Sequence, residues 1–156
     1  MKRPPEARVR GAGLRVLLLR SDFNGQIVDG LVSGAREALA ELGVPEDGVE
    51  LLDVPGAFEL PLIAQVAASS GRFDAIVALG AVVKGETDHY EHIARECAAG
   101  LMQVARETRT PVAFGVLTVR DAAHALARSA PGPHNKGAEA ARAALMAAAA
   151  VRRLRE

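Results

Sequence analysis

Short apolar runs alternate along the chain with longer segments in which apolar residues recur at helical spacing. Four of the runs predict strands, at residues 14–19, 49–54, 75–83 and 111–118. Five of the periodic segments predict helices, at residues 26–42, 60–68, 90–107, 121–128 and 136–155. Because strands that alternate with helices pair in parallel through right-handed crossovers, the pattern predicts an α/β domain with helices on both faces of the sheet.

The same pattern predicts one domain preceded by an arm. Residues 1–13 are polar and contain two prolines, so they are expected to lie outside the core. Residues 14–156 contain no internal repeat and no linker long enough to divide them, which predicts a single α/β domain. With 156 residues, of which 49% are hydrophobic, the chain is long enough and apolar enough for one substantial core.

Composition argues against several classes of protein. The 19 basic and 19 acidic residues give no net charge, whereas nucleic-acid-binding proteins usually have a basic excess. No apolar stretch reaches the roughly 18 residues of a membrane span, and no signal-peptide region follows the charged N-terminus, so a cytoplasmic location is expected. Cys97 is the only cysteine, which excludes an intrachain disulfide, and it is expected to lie in the core.

Polar and aromatic residues follow the predicted strands at the point where each strand ends. The segments after the first three strands are residues 21–24, 55–59 and 85–89. The fourth strand carries Phe114 and ends at Thr118. In a parallel sheet these ends lie at one edge, which is where open α/β sheets bind ligands. Phe114, Phe23 and Phe58 are three of the five aromatic residues, and all three are expected near this edge.

Most of these residues also have a structural interpretation. The three phenylalanines are typical core residues, and Glu59 carries a charge that favours the positive N-terminus of the second helix. Asp88, with Glu91 three residues later, resembles a capping box at the start of the third helix. The pattern leaves these alternatives open.

The segment from Gly85 to His89 carries the most specific chemical hypothesis. A histidine at this edge can transfer protons near neutral pH. His89 and His92 have the spacing of a metal pair, but no third ligand has suitable spacing, so no metal site is predicted. Gly85, Glu86 and Thr87 can offer backbone amides at a helix N-terminus, which favours phosphate. No Walker A or Gly-x-Gly-x-x-Gly pattern is present, which argues against nucleoside triphosphates and dinucleotides as ligands.

Six ordered motifs together resemble the lumazine synthase family. They are Phe23-Asn24, VPGAFELP from Val54 to Pro61, LGAVVKGETDH from Leu79 to His89, PVAFGVLT from Pro111 to Thr118, Ala127-Arg128 and Asn135-Lys136-Gly137. The resemblance runs from about Val16 to the last helix and so covers most of the chain. It implies a flavodoxin-like three-layer sandwich in which a four-stranded parallel sheet has the order 2-1-3-4.

The resemblance implies an activity as well as a fold. The family's reaction joins 5-amino-6-(D-ribitylamino)uracil to 3,4-dihydroxy-2-butanone 4-phosphate, releases phosphate and water, and forms 6,7-dimethyl-8-ribityllumazine. By resemblance, the chain is a transferase that acts on small-molecule substrates without a metal or organic cofactor. It is expected to form homopentamers with active sites between neighbouring subunits. Decamers, sixty-subunit shells and association with riboflavin synthase stay open.

The resemblance also assigns roles to the residues after the first three strands. His89 would shuttle protons, Phe23 would stack on the pyrimidine ring, and Glu59 would accept hydrogen bonds from ribityl hydroxyls. Backbone groups at four positions would bind the ring and the ribityl chain, around Ala57, Phe58, Ala81 and Val82. Three consecutive residues would hold the phosphate, namely Gly85, Glu86 and Thr87.

Three further residues would act from the region of the fourth strand and the last helix. Arg128 would pair with the phosphate and Phe114 would close the pocket, both from the adjacent subunit, while Lys136 would contact the substrate. The chain departs from the family in residues 129–134, which hold two prolines in place of the more usual Gly-Thr-Lys-type sequence. That loop influences shell formation. At residues 123–125, His124 stands where a glutamine is common, which is expected to alter local packing.

Two other functions are compatible with the same fold. One is the archaeal-type riboflavin synthase, which dismutates lumazine, and the other is a non-catalytic cage subunit that binds a flavin-like ligand. Dismutation needs no phosphate site, so the Gly85-to-His89 segment together with Arg128 and Lys136 favours the condensation. The presence of a candidate residue at every position argues against a purely structural subunit.

Overall fold

The four predicted strands form one parallel sheet in the computed structural model, which describes residues 11–156. They are β1 (Val16–Ser21), β2 (Val49–Val54), β3 (Ala75–Val83) and β4 (Val112–Val119). Their spatial order is β2-β1-β3-β4, which confirms the expected order. β3 lies inside the sheet and is buried from Ala75 to Ala81, as its continuous apolar run predicts.

The five predicted helices are also present, with bounds that agree with the prediction to within one residue. They are α1 (Gly25–Glu41), α2 (Leu60–Ser69), α3 (His89–Thr108), α4 (Ala122–Ser129) and α5 (Lys136–Arg155). Two short 3₁₀ turns, Glu46–Gly48 and Ala57–Glu59, were not predicted, and they lead into β2 and α2.

The sheet separates two apolar layers, as the three-layer prediction requires. On β1, Leu17 and Leu19 face the layer that contains α2 and α3, whereas Val16 and Leu18 face the layer that contains α1 and α5. This alternation is that of a strand covered on both faces. The chain is therefore a three-layer α/β sandwich, and the carboxyl ends of its four strands lie at one edge of the sheet.

β1 extends two residues beyond its predicted end. Arg20 and Ser21 were expected in the turn, but they pair in register with Asp53 and Val54 of β2. Because both residues are polar, the hydrophobic pattern ends before them. Pairing with the neighbouring strand nevertheless continues β1 through both residues.

The predicted arm, residues 1–13, lies outside the described residues apart from its last three positions. Of those, Gly11 is buried, and its amide donates to the Leu42 carbonyl oxygen over 2.7 Å. Within residues 11–156, no helix is long and apolar enough to cross a membrane.

Candidate active site at the carboxyl ends of the strands

The turn after β1 is fastened to the end of β2 by its backbone. The Asp22 amide donates to the Val54 carbonyl oxygen over 2.8 Å, and the Phe23 amide donates to the Pro55 carbonyl oxygen over 3.1 Å. Main-chain hydrogen bonds therefore fix the position from which the Phe23 ring extends.

Asn24 connects this turn to the centre of the sheet. It has a left-handed backbone conformation, with φ of 60°, which asparagine tolerates better than most residues. Its side-chain Nδ2 donates to the Ala81 carbonyl oxygen on β3 over 2.9 Å. The sequence motif marked Asn24 but gave it no role; an asparagine directly after a strand is a signal for such a turn.

The Phe23 ring lies over Gly56, where only a glycine leaves room for it. A Cβ atom on Gly56 would lie 2.7 Å from Phe23 Cδ2. The ring is otherwise free, with 68% of the residue exposed, and Phe58 is 57% exposed. The interpretation of these two residues as core is wrong, because both rings extend from turns at the rim of the sheet.

Glu59 closes the turn that carries Phe58. Its Oε2 accepts a hydrogen bond from the Gly56 amide over 3.0 Å, at the start of α2. The structural interpretation of this carboxylate, support for a helix start, is therefore partly confirmed. Oε1 has no hydrogen-bond partner among residues 11–156, so it can still accept a bond from a ligand hydroxyl.

The loop after β3 presents backbone amides that nothing in the described chain binds. The Lys84 amide completes the ladder to the Val119 carbonyl oxygen over 2.9 Å. From Gly85 to Asp88, no amide donates a hydrogen bond within residues 11–156, and all four residues are exposed. Asp88 is the N-cap of α3 but its side chain makes no capping bond, so the predicted capping box is absent. Exposed free amides at a helix N-terminus attract anions.

His89 is the first residue of α3 and is exposed. α3 packs against the 3₁₀ turn that contains Phe58, and Asn24 binds the strand that leads to this loop. We call the group formed by Phe23, Phe58, Glu59 and residues 81–89 the strand-end site. Ala57 and Ala81 are buried in its floor, and Val82 is partly buried.

The three remaining predicted residues line a different feature, a groove along the outer edge of β4. Phe114, Arg128 and Lys136 line this cavity of about 590 Å³, together with residues of α5. Phe114 is 46% exposed, so its interpretation as core is wrong as well. Arg128 donates to the His124 carbonyl oxygen over 3.0 Å, and Lys136 pairs with Glu139 at 2.8 Å. We call this feature the β4 groove; its lining includes no residue of the strand-end site.

Asn135 fastens the loop that connects the two cations of the β4 groove. It is 3% exposed, and its Nδ2 lies 3.0 Å from the carbonyl oxygens of both Gly30 and Ser129. Its Oδ1 accepts from the Ala138 amide over 3.0 Å and so caps α5. This role was not predicted, although a buried asparagine before an alanine-rich helix is a recognisable cap signal.

Two titratable groups differ from their usual behaviour. Burial raises the pKa of the Cys97 thiol to about 12, and its position in the core is as predicted. Burial lowers the pKa of the Arg20 guanidinium, but the hydrogen bond to Asp29 and the charges of three aspartates outweigh it, so this pKa lies above its usual value. Within the described chain, no three histidine, cysteine or acidic side chains are grouped to hold a metal ion.

Comparison with known proteins agrees with this geometry. Residues 13–152 match the 6,7-dimethyl-8-ribityllumazine synthase family over nearly the whole described chain. The chain belongs to this family. The family resemblance predicted from six motifs is therefore confirmed.

Relatives in this family are similar over most of their length. The 6,7-dimethyl-8-ribityllumazine synthase of Halorhodospira halophila is 48% identical over 131 residues, which cover 84% of each protein. The 6,7-dimethyl-8-ribityllumazine synthase 1 of Caulobacter vibrioides is 46% identical over 142 residues, 91% of this chain and 93% of the relative. The enzyme of the same name from Xylella fastidiosa is 46% identical over 140 residues. The roles of individual site residues remain predictions.

Proposed function

We propose that the chain is a transferase that condenses 5-amino-6-(D-ribitylamino)uracil with 3,4-dihydroxy-2-butanone 4-phosphate to 6,7-dimethyl-8-ribityllumazine. Family membership and the names of the relatives support this activity. The observation that carries the proposal is the run of unbonded amides from Gly85 to Asp88, which leads directly into His89. One substrate carries a phosphate that must leave, and this step requires an anion site beside a group that transfers protons.

The other groups of the strand-end site suit the second substrate. The exposed face of Phe23 offers a stacking surface to a flat pyrimidine ring. The free Oε1 of Glu59 can accept a hydrogen bond from the polyol chain. The proposed reaction needs no metal or organic cofactor, and we expect it in the cytoplasm. Much of the rate enhancement would come from holding two substrates in a reactive geometry.

We also propose that each active site is completed by a second subunit of a homopentamer. The β4 groove, which contains Arg128, Lys136 and Phe114, lies on the outer edge strand β4. The loop proposed to bind phosphate, residues 85–88, follows the inner strand β3. Exposed apolar residues accompany both regions, including Leu62 and Val66 on α2 at 65% and 62% exposure. Exposed apolar surface of this kind favours association.

The activity is tested by mixing purified protein with both substrates. Formation of the lumazine is followed by its absorbance, and phosphate release is measured in parallel. We expect the two products in equal amounts and well above the spontaneous rate. Lumazine formation at only the spontaneous rate would contradict the proposal, and consumption of added lumazine would support the dismutase instead.

The role of His89 is tested by two histidine variants on the same helix. We expect His89→Ala to lower kcat by about 10²-fold with little change in KM, because proton transfer is lost while binding groups remain. His92→Ala is the matched control, since His92 is also exposed in the first turn of α3, and its kcat is expected to stay at the wild-type value. Equal kcat values for both variants would remove His89 from the mechanism.

A further inference from the structure

Arg20 joins three segments of the chain beside the strand-end site. Its Nε and Nη2 contact Asp29 Oδ1 of α1 at 2.9 and 2.8 Å, and its Nη1 pairs with Asp22 Oδ1 in the turn after β1. Nη1 also lies 3.7 Å from Asp53 Oδ1 on β2. We call this group of one arginine and three aspartates the Arg20 clamp.

The clamp is more than a surface ion pair. The Arg20 side chain is 16% exposed, although its partners are each more than half exposed. Exposed single pairs contribute little to stability, whereas an arginine fork held by several carboxylates fixes direction as well as distance. The guanidinium also lies close to Gly25, at the end of the turn where α1 begins. A Cβ atom placed on Gly25 would be only 3.3 Å from Nη2. Arg20 therefore holds both ends of the turn that carries Phe23 and Asn24.

Phe23 depends on this support because its own side chain is held on one side only. The ring rests on Gly56 and is otherwise exposed, so its direction is set by the backbone of the turn. We propose that Arg20 is a positioning residue that fixes the Phe23 platform for the pyrimidine substrate. This rests on the proposed function, in which Phe23 stacks on that ring. Arg20 contacts no substrate itself and acts through Asp22 and Asp29.

The kinetic test compares Arg20→Met with Arg72→Met. Arg72 pairs at 2.9 Å with Glu50, which lies on β2 at the end opposite to Asp53. Arg72 therefore serves as the matched control. For Arg20→Met we expect KM for the pyrimidine substrate to rise about tenfold, with kcat and KM for the phosphate substrate close to wild type. Arg72→Met should leave all three unchanged. A uniform loss in all parameters, or no change in the pyrimidine KM, would overturn the proposal.

Single-carboxylate variants test the same idea while Arg20 itself is kept. Asp29→Asn removes the negative charge at two short contacts of Arg20, whereas Asp53→Asn removes it at one long contact. We therefore expect the pyrimidine KM to rise more in Asp29→Asn than in Asp53→Asn, and not at all in Glu50→Gln. The reverse order would contradict the clamp. Because both aspartates are exposed, these variants are expected to fold even if Arg20→Met does not.

A spectroscopic test is independent of catalysis. The chain has no tryptophan, so Phe23→Trp introduces a single reporter at the platform. We expect its fluorescence anisotropy to fall when Arg20→Met is added, and to stay unchanged when Arg72→Met is added. Equal anisotropy in both double variants would overturn the clamp. If the wild type made no lumazine, the proposed function would fail while this measurement still decided the role of Arg20.

Discussion

In the strand-end site the candidate binding residues lie on turns at the rim of the sheet, whereas in the β4 groove they lie on an edge strand and two helices. The turns after β1 and β2 are fixed by hydrogen bonds to the backbone, and the site offers unbonded amides, a carboxylate, an imidazole and the exposed rings of Phe23 and Phe58. The groove is shaped by packed helices and offers two cations and an aromatic ring. The groove therefore adds two cations and a further aromatic ring to the groups that the strand-end site already offers.

Under the proposed function, this difference gives each subunit two unlike halves of a binding site. The amides of residues 85–88 can orient a phosphate, but the full charge expected to pair with it is on Arg128 in the groove. Two such halves on separate faces are complementary when one chain packs against the next, as in a cyclic oligomer.

The largest effect is expected when two inactive variants are combined. His89→Ala damages the strand-end site and Arg128→Ala damages the groove, so each homo-oligomer should be nearly inactive when the phosphate substrate is kept well below the KM of the Arg128→Ala variant. When both are unfolded together and refolded as a mixture, about a quarter of the interfaces should pair two intact halves. We expect activity to recover to about that fraction of wild type. Refolded single variants are the control, and no recovery in the mixture would show that the two halves do not meet across subunits.

A second experiment separates the two substrates. Arg128→Ala should raise KM for the phosphate substrate about 10²-fold, since a charge-assisted contact to the phosphate is lost. KM for the pyrimidine should change little. Phe23→Ala should give the opposite pattern, and Arg36→Ala on the exposed side of α1 serves as a control for lost positive charge. If Arg128→Ala and Phe23→Ala both raise KM for the same substrate, the two regions do not bind different substrates.

Stability should distinguish the two asparagines that support the two regions. Asn135→Ala should lower the free energy of unfolding by about 2–4 kcal/mol, because it removes a helix cap and takes the side-chain donor from the buried Ser129 carbonyl oxygen. Asn24→Ala should cost about 1–2 kcal/mol, since one hydrogen bond is lost and alanine disfavours a left-handed backbone. Asn24→Gly, which tolerates that backbone, should cost less. Urea unfolding at one fixed protein concentration checks this order, and equal losses for Asn135→Ala and Asn24→Ala would contradict it.

The smallest effect concerns the inner face of α3, below the strand-end site. Because burial raises the pKa of Cys97 to about 12, very little thiolate is present at neutral pH. We expect no labelling of the native protein by iodoacetamide and complete labelling in concentrated urea, as read by intact mass. Rapid labelling of the native protein would mean that α3 opens, and that the strand-end site is less rigid than its hydrogen bonds imply.

Much of the fold could be predicted because its signals are local and periodic. The run from Ala75 to Val83 and the stripe on α1 each identify their element, and alternation of strands and helices gives the parallel sheet. The strand-end location of the candidate residues follows from that sheet. Exposure could not be predicted, because a phenylalanine has the same sequence signal on a rim as in a core. The contacts of Arg20 with Asp53 and of Asn135 with Gly30 could not be predicted either, since these partners are distant in sequence.

The loop between α4 and α5 has a consequence for variation within the family. Asn135 fixes both of its ends, while residues 130–134 between them are exposed. Insertions or deletions at this tip should therefore leave Arg128 and Lys136 where they are. The loop can change in length and sequence with little effect on the positions of these two side chains. The exposed tip can thus vary in evolution while a single buried asparagine keeps both of its ends in place.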